Sequence, residues 1–400
     1  MPYNLPQLAD CDFASKTVLL RIDSNTPHDT LRLQCHAQTI RTLLAAGAKK
    51  VVVLSHLGRP SGRVVPELSL RPQAAVLENY VGQPVHFVPD CVGRMAEQAV
   101  QTAPHGSVLL LENVRFQAAE EQPQTGQLFA KSLAKLGDVY VNDAFASAHR
   151  NHTSLTLLPQ LLPSAAGPLL AQEVARLEGI LTTPTRPLLL MLGGTNLAHK
   201  MPILQNALGY ANQIMVGGAL ANTLLAAKDM LMGKSHIEMD YIEPLRDFLV
   251  EAGIVGCRIL MPADVMTTNL NHPMARPVAK AVHQLEPDDT ALDIGPETVK
   301  VWSRVIQNAG TMVWSGPMGS YELAPFDEGT NNLANAMLHS PCPTKVVAGG
   351  DTLDALKRTG LREQFSQLST GGAAFLAMLA GEPLPALTAL QYPTERRLAA

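Results

Sequence analysis

Residues 17–59 read TVLLRIDSNTPHDTLRLQCHAQTIRTLLAAGAKKVVVLSHLGR. The aliphatic run Thr17–Arg21 is followed by a segment of helical period, His36–Ala46, and then by a second aliphatic run, Val51–Ser55. Gly47 stands just past the helical segment, where a left-handed residue ends a helix. Strand, helix and strand at this spacing make a βαβ unit, which places the two strands parallel and side by side.

The pattern continues outward. Val85–Val88, Ser107–Glu112 and Val139–Asn142 read as further strands, separated by helix-like stretches at Arg71–Tyr80, Arg94–Thr102 and Gln127–Leu136. It restarts at Pro187–Met191 and runs through Gln213–Val216, Arg258–Met261, Thr311–Trp314 and Lys345–Ala348. Gln172–Leu181 reads as an amphipathic helix between the halves. The expectation is an α/β protein of two Rossmann-like parallel-sheet domains. They span 1–171 and 187–383, with a helix and linker at 172–186 and a Pro-punctuated tail at 384–400 that returns to the N-terminal lobe. No repeat of 20–50 residues is evident.

Composition agrees. The 400 residues are 46% hydrophobic but only 4% aromatic, as expected where Val, Ile and Leu line parallel strands. A net charge of −4 argues against nucleic acid or an anionic membrane as the main partner. The five cysteines, Cys11, Cys35, Cys91, Cys257 and Cys342, are scattered and odd in number, which speaks against a disulfide framework or a structural zinc. The N-terminus lacks the basic and apolar regions of a signal peptide, and three prolines interrupt Leu155–Ala171, so it reads as no membrane span. A cytoplasmic protein is expected.

In parallel α/β sheets, ligands bind where strands end at their C-termini. The first half delivers Asp23, Ser24 and Asn25 after one strand, with Arg21 at its end and Arg32 downstream. It delivers His56, Leu57, Gly58 and Arg59 after the next, Arg115 after a third, and His149, Arg150 and His152 beyond the last. One such arginine is as readily a solvated loop charge. Several at one sheet edge suit a small polyanion, because guanidinium forks match carboxylate and phosphate oxygens. The second half offers glycine turns after strands, among them Gly193-Gly194, Gly217-Gly218, Gly316–Gly319, Gly349-Gly350 and Gly371-Gly372. Such turns let backbone amides approach phosphates, and Asp351-Thr352 is placed to hold a magnesium ion carried with them. Gly233-Lys234-Ser235 lacks the leading glycine of a P-loop, so Lys234 reads as a loop charge. No GxGxxG fingerprint supports a dinucleotide. A basic acid-binding half and a glycine-rich half together suggest phosphoryl transfer.

At this point the chain resembles phosphoglycerate kinases. The stretches that carry the likeness are VLLRIDSNTP, SHLGRPSG, LLLENVRF, VNDAFASAHRNH, LDIGPETVKVW, VWSGPMGSYE, VVAGGDTLDAL and STGGAAF. The resemblance implies reversible transfer between 1,3-bisphosphoglycerate and Mg-ADP, giving 3-phosphoglycerate and ATP, in a monomeric two-lobed kinase with its hinge near Gln172–Leu181. It implies that Asp23, Asn25, Arg32, His56, Leu57, Gly58, Arg59, Arg115 and Arg150 bind the phosphoglycerate. Lys200 and Glu322 would contact the nucleotide, Gly349, Gly350, Asp351 and Thr352 would cradle its phosphates, and Asp351 would reach magnesium. Arg32 and Lys200 would be catalytic.

The departures gather in the nucleotide half. Asn196 stands where the family has a lysine that escorts the moving phosphoryl group, Ser315 where it has Asn, and Ala348 and Ala373 where it has Gly. The other half departs at Ser24 and Thr26. Beside an active kinase, two further readings follow from this distribution: a paralogue that binds phosphoglycerate without catalysis, as sensor or scaffold, and a kinase for a related small carboxylic acid.

Overall fold

The computed structural model describes residues 3–25, 31–269 and 276–391. The chain forms two compact units. One is built from residues up to Arg176 together with the segment from Pro383, the other from Leu177–Glu382. The helix Pro168–Thr182 carries the chain from the first to the second.

The first unit holds six strands: β1 (Thr17–Arg21), β2 (Lys50–Leu54), β3 (Val85–Val88), β4 (Ser107–Leu111), β5 (Val139–Asn142) and β6 (Ser164–Ala166). They lie in the order β3-β4-β2-β1-β5-β6, all parallel. β1 is central, with Arg21 opposite Leu54 of β2 and Asn142 of β5. Every residue of β2 is buried. That two-sided burial explains its unbroken aliphatic run. The helices Leu31–Ala45 and Arg71–Val81 pack Leu33, Ile40, Leu43 and Leu77 onto Val18, Leu20, Val51 and Val53.

The returning segment is seated on this unit. Leu384 N donates to Tyr3 Oη at 2.9 Å and Ala386 N to Ala148 O at 3.2 Å. The short helix Pro385–Leu390 packs on the turn Thr153–Thr156. The tail beyond Gln391 and the departure at Thr26 lie outside the described residues.

The second unit holds β7 (Leu188–Leu192), β8 (Gln213–Val216), β9 (Arg258–Leu260), β10 (Asp264–Thr268), β11 (Val278–Ala281), β12 (Thr290–Ile294), β13 (Thr311–Ser315) and β14 (Thr344–Ala348). A parallel sheet runs β14-β13-β7-β8-β9. Trp314, Trp302, Met312 and Leu333 fill its core.

A second sheet, β11-β10-β12, is antiparallel and has no counterpart in the sequence reading. Its strands escape an apolar-run criterion for a physical reason. β11, VAKA, has no buried residue, and β10 and β12 carry Asp264, Thr267, Thr290 and Asp293 among their buried positions. The small cluster Leu225, Met232, Val265, Leu285 and Ala291 closes this sheet against the helix Gly218–Ala227.

Candidate functional site

In the first unit the residues after the strands converge. Asp23 Oδ1 accepts from Arg32 Nη1 at 2.9 Å and from Asn25 N at 3.0 Å, while Oδ2 accepts from Ser147 Oγ. Asn25 Oδ1 in turn accepts from Gly58 N at 2.8 Å, tying the first loop to the second. Asn113 Nδ2 donates to Leu57 O at 2.8 Å, and Arg115 Nη1 donates to Gly58 O at 2.5 Å. Leu57 and Gly58 thus enter through their main chain.

Arg21 departs from the expected gathering of ligand arginines. It is fully buried, donating from Nε to Ser154 Oγ at 2.9 Å and from Nη2 to His56 Nδ1 at 3.0 Å. Because Nδ1 of His56 accepts, its hydrogen sits on Nε2. Burial opposes the charge of Asp23, but Arg32, the Ser147 hydroxyl and the Asn25 N–H outweigh it and hold this carboxyl well below the usual range, the His56 imidazole adding to this only when protonated. Burial, against the pull of Asp23 and with the charges of Arg21, Arg115 and Arg150, pushes His56 well below 6.5. At neutral pH the pair is a carboxylate beside a neutral imidazole that donates from Nε2.

Arg115 is 1% exposed. Burial, then the like charge of Arg150, lowers its pKa to about 10. Its Nε lies 3.1 Å from Glu121 Oε1 without the angle of a hydrogen bond, and Nη2 is buried with no partner among the described residues. Arg150 is lowered by burial and feels Arg59, which is exposed. Two histidines complete the surroundings, His149 lowered to about 4 and His152 to about 3, both mainly by burial. Positive charge held in one place against its own repulsion, with unspent donors, is what an anion site requires.

The second unit contains a cavity of about 500 Å³ at the C-terminal edge of its sheet. Glu322 and Asp351 line it, together with Gly194, Gly218 and Gly319 from the glycine turns. Asn222, His236 and Thr290 also line it, as does Lys234, which is ion-paired with Asp288 at 2.6 Å. Asn222, His236 and Thr290 carry no signal in the sequence, because they follow no long apolar run, and Lys234, which reads there as a loop charge, stands in the cavity wall. Lys200, Gly349, Gly350 and Thr352 stand outside this wall. Lys200 is 8% exposed, with Nζ 3.4 Å from Ser315 O. Burial lowers it to about 8 although Asp351 pulls it upward.

Several glycine turns serve each other rather than a ligand. A Cβ on Gly193 would sit 2.0 Å from Pro317 O, and Gly194 N donates to Pro317 O at 2.8 Å. The backbones of these loops touch, so glycine is required there whatever binds.

The helix N-termini discriminate better. Glu238 accepts from Asn196 N and Leu197 N, both at 3.0 Å, at the start of the helix Leu197–Ala207. Asp264 accepts from Glu297 N and Thr298 N at the helix Pro296–Gln307, and Asp293 from Gly329 N at the helix Glu328–Leu338. Among the described residues the helix Gly350–Arg358 has no such carboxylate; Gly349, at φ +94°, precedes it, and Thr352 Oγ1 accepts from Gly316 N at 2.7 Å. Its N-terminal N–H groups are open to an anion. Ala348 and Ala373 are absent from the residues at positive φ, so their methyl groups bring no backbone strain.

The model of the family described as phosphoglycerate kinase matches residues 8–382. The chain belongs to the phosphoglycerate kinase family. The phosphoglycerate kinase of Ruegeria sp. (strain TM1040) is 41% identical over 393 residues, 96% of this chain and 98% of the relative. That of Roseiflexus sp. (strain RS-1) is 40% identical over 391 residues, with the same shares covered. Among solved structures, phosphoglycerate kinase from Coxiella burnetii superposes with a TM-score of 0.87 at 33% identity, covering 98% of this chain and 99% of that one. The enzyme from Pyrococcus horikoshii OT3 gives 0.82 at 29% identity, covering 97% and 98%. The two parallel-sheet units are therefore the fold of the phosphoglycerate kinase family. No helix among the described residues is long and apolar enough to cross a membrane.

Proposed function

We propose that this chain is a working phosphoglycerate kinase, a phosphotransferase that moves a phosphoryl group reversibly between the acyl phosphate of 1,3-bisphosphoglycerate and ADP. The observation that carries the reading is Arg115, a buried guanidinium whose Nη2 has no partner among the described residues, in a cluster of like charge. Such a buried donor gains most from an anion placed to receive it.

In this reading Arg59, Arg115 and Arg150 hold the phosphate and carboxylate of the acid. His56 donates from Nε2 to an acid oxygen. Asp23 and Asn25 orient the hydroxyl, with Leu57 and Gly58 supplying the wall. Lys200 and the uncapped N-terminus at Gly350–Thr352, behind Gly349, hold the nucleotide phosphates, and Glu322 takes the ribose hydroxyls. Phosphoryl transfer is mostly positioning and charge stabilisation, so the catalytic roles fall to the cations Arg32 and Lys200.

Magnesium fits as a passenger. The described residues offer no group of three or more His, Cys, Asp or Glu able to hold a metal alone, whereas one carboxylate beside polyphosphate oxygens suffices for Mg²⁺. Asp351 would hold it, and when bound it neutralises charge on the transferring phosphate. A monomer in the cytoplasm, hinged at the helix Pro168–Thr182, belongs to the same proposal and rests on the family resemblance.

A coupled assay with 3-phosphoglycerate, ATP and magnesium tests it. Arg32→Ala is expected to lower kcat by about 10²-fold or more. Wild-type turnover that Arg32→Ala leaves intact refutes the catalytic assignment, and a wild type that binds 3-phosphoglycerate without turnover refutes the kinase reading.

A further inference from the structure

The helix Leu31–Ala45 presents Arg32, His36 and Thr39 on one face, at spacings of four and three residues. Arg32 takes the carboxylate of Asp23. His36 takes its main chain: Asp23 N donates to His36 Nε2 at 3.2 Å. With Nε2 accepting, the imidazole hydrogen is on Nδ1, which donates to Asp143 Oδ2 at 2.9 Å. Thr39 Oγ1 donates to the same oxygen at 2.7 Å. The other carboxylate oxygen, Oδ1, accepts from Leu169 N at 2.8 Å and Leu170 N at 3.3 Å, in the first turn of the helix Pro168–Thr182. Gly167 leaves Asp143 its place, since a Cβ there would lie 2.3 Å from Oδ1. His36 and Asp143 are both fully buried.

We infer that His36 is a positioning residue for the acid site, fixing the main chain of Asp23 against an Asp143 that is itself pinned to a helix start. The inference rests on the reading of Asp23 as an acid-binding residue. Arg32, the Asn25 N–H and Ser147 hold only the carboxylate end of Asp23. With its N–H also anchored, both ends of the residue are fixed before the acid arrives, so little ordering is left for binding to supply. His36 touches no ligand; its effect is on where Asp23 stands. A histidine that merely filled space would not need acceptor and donor at opposite ring nitrogens, each matched to a buried partner.

The test is steady-state kinetics of the full chain with three variants. His36→Ala removes both contacts. His36→Gln keeps an acceptor at the position of Nε2. His36→Asn keeps a donor at the position of Nδ1 but is too short to reach the Asp23 amide. His36→Ala and His36→Asn are expected to raise KM for 3-phosphoglycerate by about tenfold, with KM for ATP changed by less than about twofold, and His36→Gln to recover most of the loss. Should His36→Ala fail to fold, the contrast between the Gln and Asn variants decides. An unchanged acid KM in both, or equal rises for acid and ATP, overturns the inference. A wild type with no 3-phosphoglycerate-dependent turnover overturns the function reading instead, so the two failures are distinct.

Discussion

Lys200 and Ser315 are joined through a side chain and a main chain: the ammonium lies 3.4 Å from the carbonyl oxygen that ends β13. Ser315 stands where the family has Asn, yet its contribution to Lys200 is a carbonyl that any residue would supply. Burial outweighs Asp351 and leaves Lys200 near 8. The cation is complete below that value and is lost as pH rises through it. We predict that kcat/KM for ATP falls above about pH 8 and that Lys200→Arg, permanently charged, abolishes that limb. Bound phosphates favour the cation, so the corresponding limb in kcat should lie at higher pH. A pH profile that is flat from 7 to 9 would remove Lys200 from the nucleotide site.

Asn196 has φ +69° and ψ +75°. That left-handed conformation suits Asn and strains most other side chains by about 1 kcal/mol. Asn196→Lys, which restores the family's charge, should raise kcat at least about tenfold while lowering the melting temperature. Thermal denaturation and steady-state kinetics read the two effects separately. No gain in kcat would mean that the missing charge does not limit transfer.

Arg115 is expected to trade stability for binding. Arg115→Met keeps an apolar stem and relieves burial of the charge and repulsion with Arg150 and Arg21, against the loss of the Glu121 contact and the hydrogen bond to Gly58 O. Its ligand-free melting temperature should hold or rise, in line with a gain of up to about 1 kcal/mol, while KM for 3-phosphoglycerate rises by about 10². A clear fall in melting temperature with KM unchanged would make Arg115 structural.

Asp293 predicts a pH dependence of stability. Burial raises its pKa to about 8, despite the N–H groups of Gly329 and Ile294, which lower it. The folded state therefore retains a proton that the unfolded chain releases near 4. Stability should fall as pH rises between about 4 and 8, and be unaffected by this group below that window. Asp293→Asn should flatten the slope in chemical denaturation at pH 5 and pH 8. An unchanged slope would show that the carboxyl titrates normally.

The parallel sheets were legible because their strands are buried on both sides: Val139–Asn142 and Gln213–Val216 were read with the bounds the structure gives. The antiparallel sheet was not, since an exposed strand such as VAKA carries no periodic apolar signal. Strand ends located Asp23, His56 and Arg115 in the sequence, for the proposed acid site is assembled from residues next to aliphatic runs. The same rule enlisted Arg21, whose partners Ser154 and His56 only the fold reveals. Residues that act through others, such as His36 and Ser147, leave no local trace, and Asp143 shows in the sequence only as a strand-end residue. Their meaning lies in contacts across more than a hundred residues of chain.

The central claim is that the acid's carboxyl group receives the phosphoryl group. The protein would be incubated with 3-phosphoglycerate, γ-labelled ATP, magnesium and hydroxylamine, which converts an acyl phosphate to a hydroxamate and frees the label as phosphate. The account predicts hydroxamate formed in proportion to ATP consumed and lost with Arg32→Ala. Label retained in a hydroxylamine-stable phosphate ester, with no hydroxamate, would contradict it.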